Sequence, residues 1–78
     1  MRDTGNRFEL DIDGGTVFAD YAKTGAAIQI LHVETPPQLR GAGAAGKLMQ
    51  AITDYAKAEN IKIVPVCSYA VAWMKRHK

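Results

Sequence analysis

The chain contains one cysteine, Cys67. A single thiol forms no intrachain disulfide, so a disulfide-framed scaffold is excluded and a reducing cytoplasm is the expected setting. No apolar run approaches the length that crosses a bilayer, which predicts no membrane partner. The opening Met1-Arg2-Asp3-Thr4-Gly5-Asn6 has no apolar stretch of the secretory kind, and again predicts a cytoplasmic protein. Repeats, low-complexity tracts and linker-like segments are lacking, so residues 1–78 read as one small domain. Prolines are few, and two of the three stand together at Pro36-Pro37, marking one sharp break.

Excess charge is also lacking. The net charge is only +2, yet it is unevenly spread. Residues 1–39 carry six acidic side chains against three basic ones, and residues 40–78 carry seven basic against two acidic. A basic second half suits an anionic ligand or simply a solvated face. It has no interleaved aromatic platform, so nucleic acid is not the expected partner.

What is present begins with alternation. Arg7 to Ile12 places Phe8, Leu10 and Ile12 on one face and Arg7, Glu9 and Asp11 on the other, as a half-buried strand does. Asp13-Gly14-Gly15 is a hairpin signal, because glycine supplies the positive φ angles of tight turns. A second strand returns over 16–23 through Val17, Phe18 and Tyr21, and Thr24-Gly25 turns again. A third strand is expected over Ala26 to Glu34, with Ile28, Ile30 and His32 sharing a face. Pro36-Pro37 ends it. From Ala44 to Asn60 the period is helical, with Leu48, Ile52 and Tyr55 on one stripe and Met49 and Ala56 beside it. Ile61 to Val66 reads as a short buried strand, and Tyr69 to His77 as a last helix with Ala70, Trp73 and Met74 inward. The order predicts an α+β fold, βββ-loop-αβα. In it an antiparallel meander gains a parallel strand through the first helix.

The richest segment is Gln38-Leu39-Arg40-Gly41-Ala42-Gly43-Ala44-Ala45-Gly46-Lys47-Leu48. A bare loop feeding a helix N-terminus aims several N–H groups at one place, where the helix dipole adds partial positive charge. That is a site for phosphate or pyrophosphate. Gly41-x-Gly43-x-x-Gly46 matches the dinucleotide fingerprint as a string. However, prolines intervene between strand and loop, and the chain is too short for a doubly wound sheet. Gly41-x-x-x-x-Gly46-Lys47 is nearly a P-loop, but Leu48 stands where a Mg²⁺-binding hydroxyl belongs. No metal-ligand pattern is present.

The form Arg40-Gly41-x-Gly43-x-Ala45 after a strand and a proline turn resembles motif A of the GNAT-fold N-acetyltransferases. His32, Glu34, the loop, the helix, the Ile63-Val64-Pro65 strand and Cys67-x-Tyr69 are similar to the small YjdJ-like branch of that superfamily. The likeness runs from about Arg7 to His77. It implies an α/β GNAT-like fold that binds acetyl-coenzyme A and transfers acetyl to an amine acceptor, in the widest case a peptide or protein. The acceptor itself is not legible. It further implies that the backbone of Val33 and Thr35 pairs with the pantetheine arm, an N–H near Val33 polarising the thioester. The amides of Gly41, Ala42, Gly43, Ala44, Ala45 and Gly46 would hold the pyrophosphate, beside Arg40.

Three side chains are candidates for the chemistry. Cys67 follows the last strand and opens a helix, a position that favours the thiolate; it is read either as a catalytic thiol that lines the cofactor site or as a packing residue. His32 is read as a general base, as a partner of Cys67, or as a hydrogen-bonded strand histidine. Glu34 is a possible proton acceptor through water if it does not simply face solvent. His77 reads as a favourable charge at a helix C-terminus. Larger relatives protonate the leaving thiolate with a tyrosine where this chain has Met74, which cannot donate. Tyr69 is the available substitute, or a packing residue that borders the cofactor. The missing tyrosine keeps open an alternative reading as a non-catalytic coenzyme A-binding or regulatory module.

Overall fold

The computed structural model describes residues 1–41 and 43–77. Its strands are β1 (Arg2–Asp3), β2 (Arg7–Ile12), β3 (Gly15–Thr24), β4 (Ala27–Glu34) and β5 (Lys62–Pro65). A 3-10 turn occupies Pro37–Leu39, and the helices are α1 (Ala44–Glu59) and α2 (Ser68–Arg76). The five strands form one sheet in the order β1-β2-β3-β4-β5. All neighbours are antiparallel except β4 and β5, which run parallel through the α1 crossover. The mixed α+β arrangement expected from the pattern is the one observed, and it is consistent with the GNAT-like fold that the resemblance implies.

Asp13 and Gly14 form the two-residue β2–β3 turn, with φ of 45° and 82°. Two successive positive φ angles match the right-handed twist of the strands they join. Asn60, with φ 57°, closes α1; its N–H donates to the carbonyls of Ala56 and Lys57.

Both helices cover one face of the sheet. Phe8, Val17, Ala19, Tyr21, Ile28 and Ile30 from the strands meet Leu48, Met49 and Ile52 of α1 and Ala70 and Trp73 of α2 in one apolar cluster. Phe8 stacks on Tyr21 with ring centroids 4.3 Å apart, and Tyr55 meets Phe8 edge-on at 5.7 Å. The opposite face is polar and bears Arg7, Glu9, Asp11, Thr16 and Asp20. Phe18, read with Val17 and Tyr21 on the second strand, turns to this outer face, where the Arg7 guanidinium lies 3.9 Å from its ring centroid.

Two expectations are corrected. The first concerns His32. Asp20 pairs with His32 but Tyr21 pairs with Ile30, so Leu31 is an extra residue on β4. A bulge of this kind reverses the in-out alternation beyond it. Val33 therefore turns inward, and His32 and Glu34 turn outward, away from Ile28 and Ile30. The second concerns β5, read as buried. It is an edge strand whose Lys62 is exposed and whose neighbour Val66 is 55% exposed. Pro65, unable to donate to a ladder, suits such an edge.

Candidate functional site

The glycine loop is anchored before it is shaped. Pro36 and Pro37 turn the chain out of β4, and Leu39 N–H donates to Pro36 O at 2.9 Å. Leu39 is buried against Gly15 of the hairpin, where a Cβ would lie 2.9 Å from Leu39 Cδ1. Only a glycine admits that approach without a shift. Burying a leucine contributes roughly 2 kcal/mol, which ties the start of the loop to the sheet.

Beyond this anchor the backbone becomes left-handed at Gly41 (φ 87°) and Gly43 (φ 75°). A Cβ at either would meet nothing within 4 Å, so neither glycine serves close packing. Gly43 is the N-cap of α1, and no side chain caps the helix. The first intrahelical bond is Lys47 N–H to Gly43 O, at 3.0 Å. The N–H groups ahead of Lys47 thus have no intrahelical partner and no side-chain cap, and the first turn holds no acidic residue. Arg40 and Lys47 stand exposed beside them.

These groups open into a cleft of about 320 Å³. Thr35, Arg40, Gly41, Gly43, Ala44, Ala45, Gly46 and Tyr69 all line it, as does Leu39, which was not among the expected contacts. An apolar residue two positions after a proline pair was the available signal for Leu39. Ala42 lies outside the described residues. Burial raises the Tyr69 phenol above its ordinary pKa, with Arg76 opposing, so the phenol remains a proton donor at neutral pH. Its neighbour across the cleft is Gly46: a Cβ there would lie 3.8 Å from Tyr69 Oη and 3.5 Å from Trp73 Nε1.

Cys67 is the N-cap of α2, partly buried against the core. Burial pushes its thiol up, but the N–H groups of Ala70, Tyr69 and Val33 together pull it further down. The net pKa lies below the ordinary thiol value. Cys67 and Val33 are thus brought together beside Tyr69. A family model described as GCN5-related N-acetyl-transferase matches residues 7–78. The chain belongs to this N-acetyltransferase family. Among curated proteins, none shows significant sequence similarity to it.

Family membership makes coenzyme A binding and acyl transfer the general expectation for this cleft. The uncapped helix N-terminus, the open space at Gly41 and Gly43 and the flanking basic side chains fit the phosphates of such a group. The N-acetyltransferase chain separates its candidate proton acceptors from its thiol. His32 Nε2 lies 3.8 Å from Glu34 Oε1, with both side chains about half exposed on the outer face. His32 has Glu34 and, at 6.5 Å, the Phe18 ring as its neighbours rather than Cys67. The bulge at Leu31 is the reason. At the far end of α2, His77 Nδ1 sits 2.8 Å from Trp73 O, and its ring stacks on Trp73 at 4.1 Å. That contact closes the helix and lies away from the cleft lining. Among the described residues no cluster of His, Cys, Asp or Glu could hold a metal ion, and no helix is long and apolar enough to cross a membrane.

Proposed function

We propose that residues 1–78 form a single minimal domain of the YjdJ-like kind that binds acetyl-coenzyme A and transfers its acetyl group to an amine. The observation that carries this reading is the uncapped N-terminus of α1, opening into a cleft that Tyr69 lines; Cys67 and Val33 are not among its lining residues. Acetyl-coenzyme A supplies an activated acyl group as a thioester. The amides of Gly41 to Gly46 and the Arg40 guanidinium bind and orient its phosphates. Backbone groups of Val33 and Thr35 position the arm that leads inward, the Val33 N–H favouring the Cys67 thiolate. Cys67, two residues before the cleft-lining Tyr69, is the nucleophilic thiolate or lines the acyl site. An amine arriving on the outer face meets His32 and Glu34, which accept its proton directly or through water. Tyr69 holds a proton for the leaving thiolate. A free reactive thiol suits the reducing cytoplasm expected for the chain.

A second reading, a coenzyme A-binding module without turnover, draws on Met74, which is half-buried against the core where larger relatives carry a proton donor. The deciding experiment is an amide NMR titration with acetyl-coenzyme A, followed by an amine screen. Shifts at Val33, Thr35, Gly41, Gly43, Gly46 and Cys67 with acetylated product support transfer. The same shifts without product with any amine support the module. An unperturbed loop at millimolar ligand removes both.

A further inference from the structure

Helix α2 has nine residues, and an isolated helix of that length is marginal in water. Its seat in the fold therefore depends on what it buries. Of the nine, Ala70 and Trp73 are buried, and alanine brings only a methyl group. Trp73, 5% exposed, is the large buried side chain that holds α2 in place.

The indole is held from two sides. On one side it meets the first turn of α1. A Cβ on Gly46 would lie 3.5 Å from Trp73 Nε1 and 3.8 Å from Tyr69 Oη, both ordinary contact distances. Having no side chain, Gly46 lets two successive turns of α2 reach the α1 backbone itself. On the other side the indole carries the His77 ring, stacked at 4.1 Å and 13° from parallel. His77 is also tied to the Trp73 carbonyl. Its backbone N–H donates to Trp73 O at 3.1 Å, and its Nδ1 lies 2.8 Å from the same oxygen. A series of contacts thus runs from Gly46 through Trp73 to His77. Gly46 and Tyr69 line the cleft, whereas Trp73 and His77 are not among the lining residues.

We infer that Trp73 is a positioning residue for the coenzyme, a spacer that fixes the separation of Gly46 and Tyr69 across the cleft, and that His77 clamps it. The inference rests on the coenzyme-binding reading and adds to it two residues from outside the cleft. Close-packed side chains pass a displacement on to their neighbours. A stacked pair fixes the tilt of both rings, as an aliphatic contact does not. Removing the His77 ring frees one face of the indole. Tyr69, one turn earlier on the same helix, then loses its fixed distance from the N-terminus of α1.

The test titrates acetyl-coenzyme A into the ¹⁵N-labelled full chain. The amides of Gly41 and Gly43 report the ligand. The indole N–H of Trp73, the one tryptophan of the chain, reports the spacer. In wild type all three signals are expected to move together. His77→Ala should bind acetyl-coenzyme A about tenfold more weakly, with the β2 and β3 amides unshifted as the sign of an intact fold. His77→Phe keeps a ring on the indole and gives up Nδ1, and should bind within about twofold of wild type. Unmoved amides at Gly41 and Gly43 overturn the coenzyme reading and this inference with it. Amides that move beside an unmoved indole signal overturn the inference alone. So do equal affinities of wild type and His77→Ala, or a loss that His77→Phe shares in full. The indole measurement needs no variant, so it decides even where His77→Ala fails to fold.

Discussion

Cys67 is the N-cap of α2 beside the backbone of Val33, whose N–H lowers the pKa of its thiol. A strand amide and a helix N-terminus therefore share one acceptor, and both favour its anion. Since burial opposes them, the thiolate is stabilised by aimed dipoles rather than by solvent. The expected outcome is a thiol that iodoacetamide alkylates with a midpoint below that of a free cysteine; a midpoint above the ordinary thiol value would remove the assignment. Cys67→Ala should leave coenzyme affinity within about twofold and lower transfer by about a hundredfold, with transfer measured at saturating coenzyme. Full activity would leave Cys67 a packing residue.

Gly43 offers a test in which strain and charge separate. Any side chain at φ 75° costs about 1–2 kcal/mol, and asparagine and aspartate tolerate that conformation best. Gly43→Asn and Gly43→Asp therefore carry a similar folding cost, seen as similar shifts in denaturation midpoint. They differ in charge beside the uncapped helix N-terminus. Calorimetric titration should show Gly43→Asp at least about tenfold weaker than Gly43→Asn for acetyl-coenzyme A, a gap that narrows with added salt. Equal affinities would mean that the loop does not face the phosphates.

Tyr21 predicts an alkaline limit to stability. Burial, and then its hydrogen bond to Asp3 at 2.5 Å, push the phenol from 10 up to about 12. A group whose pKa is raised on folding favours the fold fully below its unfolded pKa and loses that contribution as pH rises. The loss here falls between about pH 10 and 12. Tyr21→Phe should cost about 1 kcal/mol at pH 8, and urea denaturation across the alkaline range should show that advantage of wild type disappearing. A constant difference up to pH 12 would show that neither burial nor Asp3 raises the phenol pKa.

The features legible in the sequence are those set by local chemistry. Alternation located β2 and β3, the 3.6-residue period located α1, and glycine with proline located the loop and its turns. β1 escaped because a two-residue strand has no period to read; it is held instead by Arg2 against Glu9 and Asp11. The glycine part of the cleft lining was legible because backbone amides at glycines need no side-chain identity; Val33 and Cys67, expected with it, are not among the lining residues. The placement of His32 was not. Alternation assumes an unbroken ladder, and nothing in Ile30-Leu31-His32 marks Leu31 as the residue left out of the pairing. A single unpaired residue separated His32 from Cys67, and with it one of the readings for the base.

That unpaired residue can be removed. Deleting Leu31 joins Ile30 to His32 without altering their partners on β3, since Tyr21 already faces Ile30 and Asp20 already faces His32. No side chain changes face, so the core should survive, with thermal unfolding still cooperative and stability within about 2 kcal/mol of wild type. On the other edge of β4 the consequence differs. Val66 and Cys67 N–H now share the Ile30 carbonyl because the strands part there. A regular β4 lets the ladder to β5 continue and moves the Val33 N–H from the Cys67 sulfur. Coenzyme affinity should fall at least about tenfold, and the depressed Cys67 pKa should return toward that of an ordinary thiol. Calorimetric titration and the alkylation profile measure both on the same variant. A deletion protein that folds, binds and alkylates as wild type would show that the bulge shapes the strand but not the site.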